Sequence, residues 1–161
     1  MENIENIIVE LLIEKHLKLA TAESCTGGLI AQKITSVPGA SECFDCGVVT
    51  YSNEQKHKLL GVSNETLEQH GAVSEQTALE MCKGVKALAN ADFGISVTGI
   101  AGPGGGTDQK PVGTVWIGIC GENAHKAEKF VFDGDRNQVR ESTASTALEM
   151  VKNEILTSEM W

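Results

Sequence analysis

Three times along this chain a run of strand-forming residues opens abruptly into glycine or small polar residues, and that recurrence narrows the folds open to it. The runs are Leu17 to Ala22 before Glu23-Ser24-Cys25-Thr26-Gly27-Gly28, Gly47 to Tyr51 before Ser52-Asn53-Glu54, and Phe93 to Thr98 before the loop Gly99 to Thr107. Such runs suit buried, pleated backbone. Around them the apolar spacing turns helical. Ile4, Ile7, Ile8, Leu11 and Leu12 mark a first helix; Leu29, Ile30, Ile34 and Val37 mark a second, ended by Pro38-Gly39. A short helical piece runs from Lys56 to Leu60. Ser74 is placed as the N-cap of a helix carrying Ala78, Met81, Val85 and Leu88 on one side. Val112 to Cys120 and Glu128 to Phe132 read as two further strands, antiparallel through a turn near Gly121-Glu122-Asn123. A last helix follows Asp133-Gly134-Asp135 and packs through Val139, Leu148, Val151 and Ile155. Alternation without repeats or linkers predicts a layered α/β sandwich with a mixed sheet, as a single domain over residues 1–161.

Composition removes several functional classes. With 4% aromatic residues and a net charge of −9, the surface repels phosphate backbones and offers no stacking platform, so no nucleic-acid partner is expected. The N-terminus MENIENIIVELLIEKH lacks the basic flank and apolar core of a signal peptide, and no apolar run is long enough for a bilayer, so no membrane role is expected. Five irregularly spaced cysteines suit reduced thiols, and the expected location is cytoplasmic. A small α/β enzyme of this kind is expected to pair into a homo-oligomer, at least a dimer.

In open α/β sheets ligands gather at the carboxyl ends of strands, so the three polar segments are expected to face one pocket. Ser24 sits at a strand-to-helix turn beside two glycines, where free N–H groups at the helix start would hold an oxyanion; the plainer reading is that Ser24 and Thr26 cap the helix. A serine nucleophile needs a base. None of His16, His57, His70 and His125 lies in a catalytic motif, although His57 is within reach of the second segment. Lys56 is the other candidate, with Tyr51 to relay the proton or orient the amine. A lysine base must be neutral, and moving its pKa from about 10.4 to roughly 7–8 needs ~3–5 kcal/mol of differential environment. The plainer reading leaves Tyr51 packed at a strand edge and Lys56 in water. Cys25 is the rival nucleophile. The Gly99–Thr107 loop matches neither G-x-x-x-x-G-K-[ST] nor G-x-G-x-x-G, leaving an anion-binding nest or a flexible connection. Cys43 and Cys46 form a lone C-x-x-C without a second ligand pair, so no metal is expected. Asp133, Asp135, Arg136 and Arg140 cluster where the last helix starts, either as cap and ion pairs or with Arg136 holding a phosphate.

Taken in order, Thr21-Ala22-Glu23-Ser24-Cys25-Thr26-Gly27-Gly28, Pro38-Gly39-Ala40-Ser41, Val49-Thr50-Tyr51-Ser52-Asn53-Glu54-Gln55-Lys56, Leu60-Gly61-Val62, Gly71-Ala72-Val73-Ser74, Gly99-Ile100-Ala101-Gly102-Pro103 and Lys110-Pro111-Val112-Gly113-Thr114-Val115 resemble the CinA C-terminal family. The resemblance runs roughly from Leu17 to Arg140. It implies a three-layer α/β/α sandwich and a cofactor- and metal-independent amidase that converts nicotinamide mononucleotide to nicotinate mononucleotide and ammonia. Carried over by motif, Ser24 would be the nucleophile, Lys56 the base and Tyr51 the assisting hydroxyl. Gly27, Ser41, Asn53, Ala101, Gly102, Thr107 and Arg136 would contact the substrate. Many members of that family carry a further N-terminal domain with no counterpart in this sequence, and its activities are not carried over. The competing expectation is a non-catalytic nucleotide-binding module using the same pocket.

Overall fold

The computed structural model describes residues 2–158. Five strands make one sheet: β1 (Leu19–Glu23), β2 (Phe44–Val49), β3 (Phe93–Gly99), β4 (Thr114–Cys120) and β5 (His125–Val131), in the order β2-β1-β3-β4-β5. β1 pairs in parallel with β2 and β3, while β4 runs antiparallel to both β3 and β5. The sheet is therefore mixed, as the two adjacent late strands predicted. Among the described residues six α-helices cover it: α1 (Ile4–Lys15), α2 (Leu29–Thr35), α3 (Asn53–Leu60), α4 (Asn64–His70), α5 (Glu75–Ala89) and α6 (Arg136–Ser158).

The period-two alternation of the strands sorts the core into two layers. Leu19, Ile95, Val97, Val115, Ile117 and Ile119 face one way, against Ile8 and Leu12 of α1, Ile30 and Ile34 of α2, and Val139, Leu148, Val151 and Ile155 of α6. Ala20 and Ala22 face the other way, against Leu60, Leu67, Met81 and Val85 of α3 to α5. The result is an α/β/α sandwich. None of the described helices is long and apolar enough to cross a membrane.

Several element boundaries move. β2 starts at Phe44, ahead of the expected Gly47, because the 3-10 turn at Ala40–Glu42 delivers the chain straight to the sheet edge. The expected helix at Lys56–Leu60 begins at Asn53, where the Ser52 hydroxyl accepts from the Gln55 N–H. β5 starts at His125, before the expected Glu128. Leu88, expected on the buried side of α5, lies exposed, because Ala89, four residues after Val85, takes the position against the core. α4 was not anticipated; its seven residues bury only Leu67, too little apolar spacing to read. Ser74 does cap α5, accepting from the Thr77 N–H, and Asp135 caps α6 through the Gln138 N–H.

From β1 the chain crosses by way of α2 to β2 on one side. From β2 it crosses through α3, α4 and α5 to β3 on the other. β1 is thus where the winding reverses, and the crevice at its carboxyl end is where such sheets hold ligands.

Candidate active site

At that crevice β1 ends in Glu23, whose carboxylate is buried and accepts from Thr26 Oγ1 (2.6 Å) and from the N–H groups of Gly28 (3.2 Å), Ile30 (2.9 Å) and Ala31 (3.0 Å). Those are the unpaired donors of the first turn of α2, and an anion is the natural partner for them. Gly28 adopts φ +105°, a left-handed conformation in which side chains are strained, and so turns its N–H back onto Glu23. This corrects two expectations. Ser24 does not cap the helix, because Glu23 does; and the first-turn N–H groups are not open to an oxyanion, because Glu23 takes them up. The Gly27 and Leu29 N–H groups are also engaged, by the carbonyls of Ser24 and Thr26. The amides of Cys25 and Thr26 lie outside this capping set.

Released from capping, Ser24 meets Lys56. Lys56 stands in the first turn of α3, and helical side chains lean toward the N-terminus of their helix. Its ammonium end therefore runs back beneath the turn, donating to Thr50 O (2.7 Å) and to Ser24 Oγ (3.0 Å). Ser24 is 9% exposed and Lys56 only 2%. Burial of a cation in this position lowers the Lys56 pKa below the ordinary lysine value of 10.5, weakly opposed by the neighbouring Cys25. The solvated lysine of the plainer reading is not what folds. Next to Ser24, burial pushes the Cys25 thiol up to about 11, so it stays protonated at neutral pH.

Tyr51 lies differently from the expected relay. Its ring is exposed, and its hydroxyl accepts from Arg136 at 2.9 Å, with no hydrogen bond to Ser24 or Lys56. Arg136 also donates to Gly102 O at 2.7 Å, so it straps the chain after β2 to the loop after β3. That loop passes close to its own return limb. A side chain at Gly102, where φ is +88°, would meet Val112 at 2.5 Å.

Ser24, Lys56, Tyr51, Asn53, Ala101, Gly102 and Arg136 all line one hollow of about 300 Å³, completed by Thr98, Ala72, Val73 and the glycines of the loop. Three of the expected substrate contacts do not line it. Gly27 is exposed beside Arg140, whose guanidinium donates to Thr26 O, and its φ of +60° shapes the turn. Ser41 lies in the turn before β2, at the opposite end of that strand from Tyr51, in a separate hollow with Pro38 and Phe44. Thr107 closes a turn with Lys110, accepting from its N–H at 2.9 Å. His57 is not in the pocket either; its Nδ1 lies 2.8 Å from Val62 O on the far side of α3. Cys43 and Cys46 fall in different elements, and no described cluster of His, Cys, Asp and Glu side chains could hold a metal ion.

The sequence reading passed over Glu23 as a cap and Thr98 as a wall. The first carried a signal, an acid directly ahead of a turn that opens a helix. The second depends on Thr98 donating to Ala72 O at 2.8 Å, across 26 residues, which no local pattern reveals.

The CinA C-terminal domain model matches residues 1–155. A relative from Thermoanaerobacter sp. (strain X514), whose name describes a competence-damage inducible protein, is 52% identical over 155 residues, 96% of this chain. One from Clostridium perfringens (strain SM101 / Type A), similarly named, is 50% identical over 152 residues, 94% of this chain. The chain spans only 38% and 37% of the lengths of these two relatives. Among solved structures, a CinA superfamily protein from Klebsiella pneumoniae 700603 superposes with a TM-score of 0.92 at 35% identity, covering 97% of this chain and 99% of that one. A competence/damage inducible protein from Agrobacterium tumefaciens gives 0.84 at 42% identity, covering 94% and 95%. Motifs, sheet order and superposition agree, and this chain belongs to the CinA C-terminal domain family.

Proposed function

We propose that this chain hydrolyses the carboxamide of nicotinamide mononucleotide, giving nicotinate mononucleotide and ammonia in the recycling of pyridine nucleotides. The observation that supports this most is the buried 3.0 Å contact between Lys56 Nζ and Ser24 Oγ. A charged amine gains little from a serine hydroxyl for the cost of leaving water, whereas a neutral amine beside that hydroxyl is a general base.

In this mechanism the neutral amine keeps one N–H on Thr50 O and accepts the Ser24 proton. Ser24 Oγ attacks the carboxamide carbon, and the backbone N–H of Cys25, which lines the hollow and takes no part in capping α2, is the donor assigned to the oxygen that becomes negative. The protonated Lys56 then passes its proton to the departing nitrogen, and ammonia leaves an acyl ester on Ser24. Water attacks that ester, giving one proton to Lys56, and the amine returns it to Ser24 Oγ as the acyl–oxygen bond breaks; the acid so formed loses its remaining proton to solvent and leaves as the carboxylate. Tyr51 and Arg136 act as a strut that holds the mouth of the pocket, with Asn53 and the Ala101-Gly102 backbone against the pyridine and its sugar. The five cysteines form no disulfide, which suits a reducing cytosol.

The test is ammonia release from nicotinamide mononucleotide by the purified protein and by Ser24→Ala. Wild type is expected to turn over and Ser24→Ala to lose about 10³-fold or more in kcat/KM with its circular dichroism unchanged. Binding without turnover by the wild type would instead favour a nucleotide-binding module.

A further inference from the structure

Two buried hydroxyls have no hydrogen-bond partner among the described residues, those of Thr21 and Thr50. Thr21 faces the α2 side of the sheet, against Gly47 and near Ala31, away from the chemistry. Thr50 stands next to Ser24. Its N–H donates to Glu23 O at 2.8 Å, which carries the β1–β2 ladder one step beyond the pair Glu23–Val49 and sets Thr50 opposite Ser24. The next acceptor of that ladder would be Thr50 O, and Lys56 Nζ occupies it at 2.7 Å. Side chains alternate along a strand, and Val48 packs against the layer of Leu60 and Met81, so the Thr50 side chain points into that layer as well, toward α3.

Lys56 Nζ has positions for three hydrogen-bond partners and holds two among the described residues, Thr50 O and Ser24 Oγ. The third position carries a hydrogen whether the group is an amine or an ammonium, and with Lys56 only 2% exposed that hydrogen is out of water. The idle hydroxyl belongs to the very residue whose carbonyl the amine already holds. We propose that Thr50 is a positioning residue for the proton transfer: its hydroxyl turns about χ1 to accept the remaining N–H of Lys56 once the amine has taken the Ser24 proton. The proposal rests on the amidase reading and adds a group that acts on the base alone. As Ser24 Oγ bonds the carboxamide carbon, its proton passes to Nζ and the carbonyl electron pair moves onto oxygen. A hydrogen bond from an ammonium is stronger than one from an amine, so the hydroxyl favours the charged form, which arises only as the transfer proceeds. The titratable side chains sharing the hollow with Lys56 are Cys25, Tyr51 and Arg136, and Glu23 lies behind the turn with its carboxylate engaged by α2. None of these four bonds Nζ.

The experiment compares wild type with Thr50→Val, which keeps the shape and removes the hydroxyl, and with Thr50→Ser, which keeps the hydroxyl. In Thr50→Val, kcat for nicotinamide mononucleotide should fall about ten-fold or more while KM stays within about two-fold. The rising limb of kcat/KM should move about one pH unit lower, because the ammonium has lost an acceptor and gives up its proton sooner. Thr50→Ser should keep the wild-type limb and most of the rate. The melting temperature of Thr50→Val, at the pH of the activity plateau, should be no lower than that of wild type, since a methyl replaces a hydroxyl that had no partner. Substrate-free titration of the Lys56 Cε carbon resonance, identified by its absence from Lys56→Met, reads the same shift without turnover. A role in packing alone would leave the limb and the titration midpoint unmoved. Either of those results overturns the proposal, as does a kcat within about two-fold of wild type in Thr50→Val, or a Thr50→Ser that behaves like it. Should Thr50→Val fail to fold, Thr50→Ala carries the same comparison. Absence of ammonia release by wild type, with the midpoint moved in Thr50→Val, defeats the amidase alone; turnover with an unmoved midpoint defeats the Thr50 role alone.

Discussion

Two polar pairs face the same pocket and differ in almost everything but location. Ser24 and Lys56 form the inner pair, 9% and 2% exposed, joined side chain to side chain and anchored on Thr50 O. Tyr51 and Arg136 form the outer pair, at the mouth, with Tyr51 61% exposed. Water screens the outer pair, so its contact contributes little energy and mainly fixes geometry. The inner pair sits where a charge is costly, so its protonation state responds to small changes in what occupies the pocket. Depth, more than residue type, separates the groups suited to move a proton from those suited to hold a wall in place.

Removing the inner amine gives the largest expected effect among the variants that keep Ser24. Lys56→Met keeps the length of the side chain and removes the base, and kcat/KM for the carboxamide should fall by about 10²–10⁴-fold. A variant that kept a tenth of the activity would break the contrast between the pairs. The pH dependence sharpens it. Since the working form of Lys56 is neutral, wild-type kcat/KM should rise with pH and level off below the ordinary lysine value of 10.5. Stability follows the same group. The folded pKa is lowered, so the unfolded chain binds more protons between the lowered value and 10.5, and stability rises with pH across that window. The comparison belongs below pH 9, the ordinary thiol value, because burial raises the Cys25 and Cys82 pKa values and thiol titration then acts in the opposite direction. Thermal melts of wild type against Lys56→Met should show this rise in the first and not in the second.

The outer pair should tolerate more. Tyr51→Phe removes one hydrogen bond from Arg136 and leaves its bond to Gly102 O intact, so kcat/KM should drop by about three- to ten-fold, mostly through KM. A drop as large as that of Lys56→Met, carried by kcat, would restore the proton-relay role to Tyr51 and dissolve the distinction between the pairs.

How much of this was legible in the sequence follows the range of the forces involved. The alternating elements, the mixed sheet and the meeting of the Ser24, Tyr51-Lys56 and Gly99 segments could be read, because periodicity is local and the strand ends of such sheets share a function. Ser74 and Asp135 as caps were legible for the same reason, each acting within three residues. Ser41 and Gly27 were misplaced because membership of a motif does not say at which end of a strand a residue lies or which way a turn faces. Glu23 was underread because its partners run from Thr26 to Ala31 in a helix whose first residues carry no side-chain cap of their own. The depth of Lys56 was not legible at all, since it depends on α3 folding its first turn against the end of β1, 32 residues away in sequence.

The smallest expected effect concerns Cys25, the residue between the capping carboxylate and the helix. A thiol is intrinsically the better nucleophile, and this one lines the pocket next to Ser24. Its burial argues the other way, because a pKa near 11 leaves almost no thiolate at neutral pH, and the amine that would deprotonate it is hydrogen-bonded to Ser24. In the proposed mechanism Cys25 supplies its backbone N–H, which alanine supplies equally well. Cys25→Ala should therefore keep kcat/KM within about three-fold of wild type and lose no more than about 1–2 kcal/mol of stability for the small apolar volume removed. Rates in Cys25→Ala and Ser24→Ala, measured side by side with pyridine-amide substrate, decide between the two nucleophiles. Reversal of their order would move the chemistry one residue along the turn and make the Ser24–Lys56 contact a packing feature.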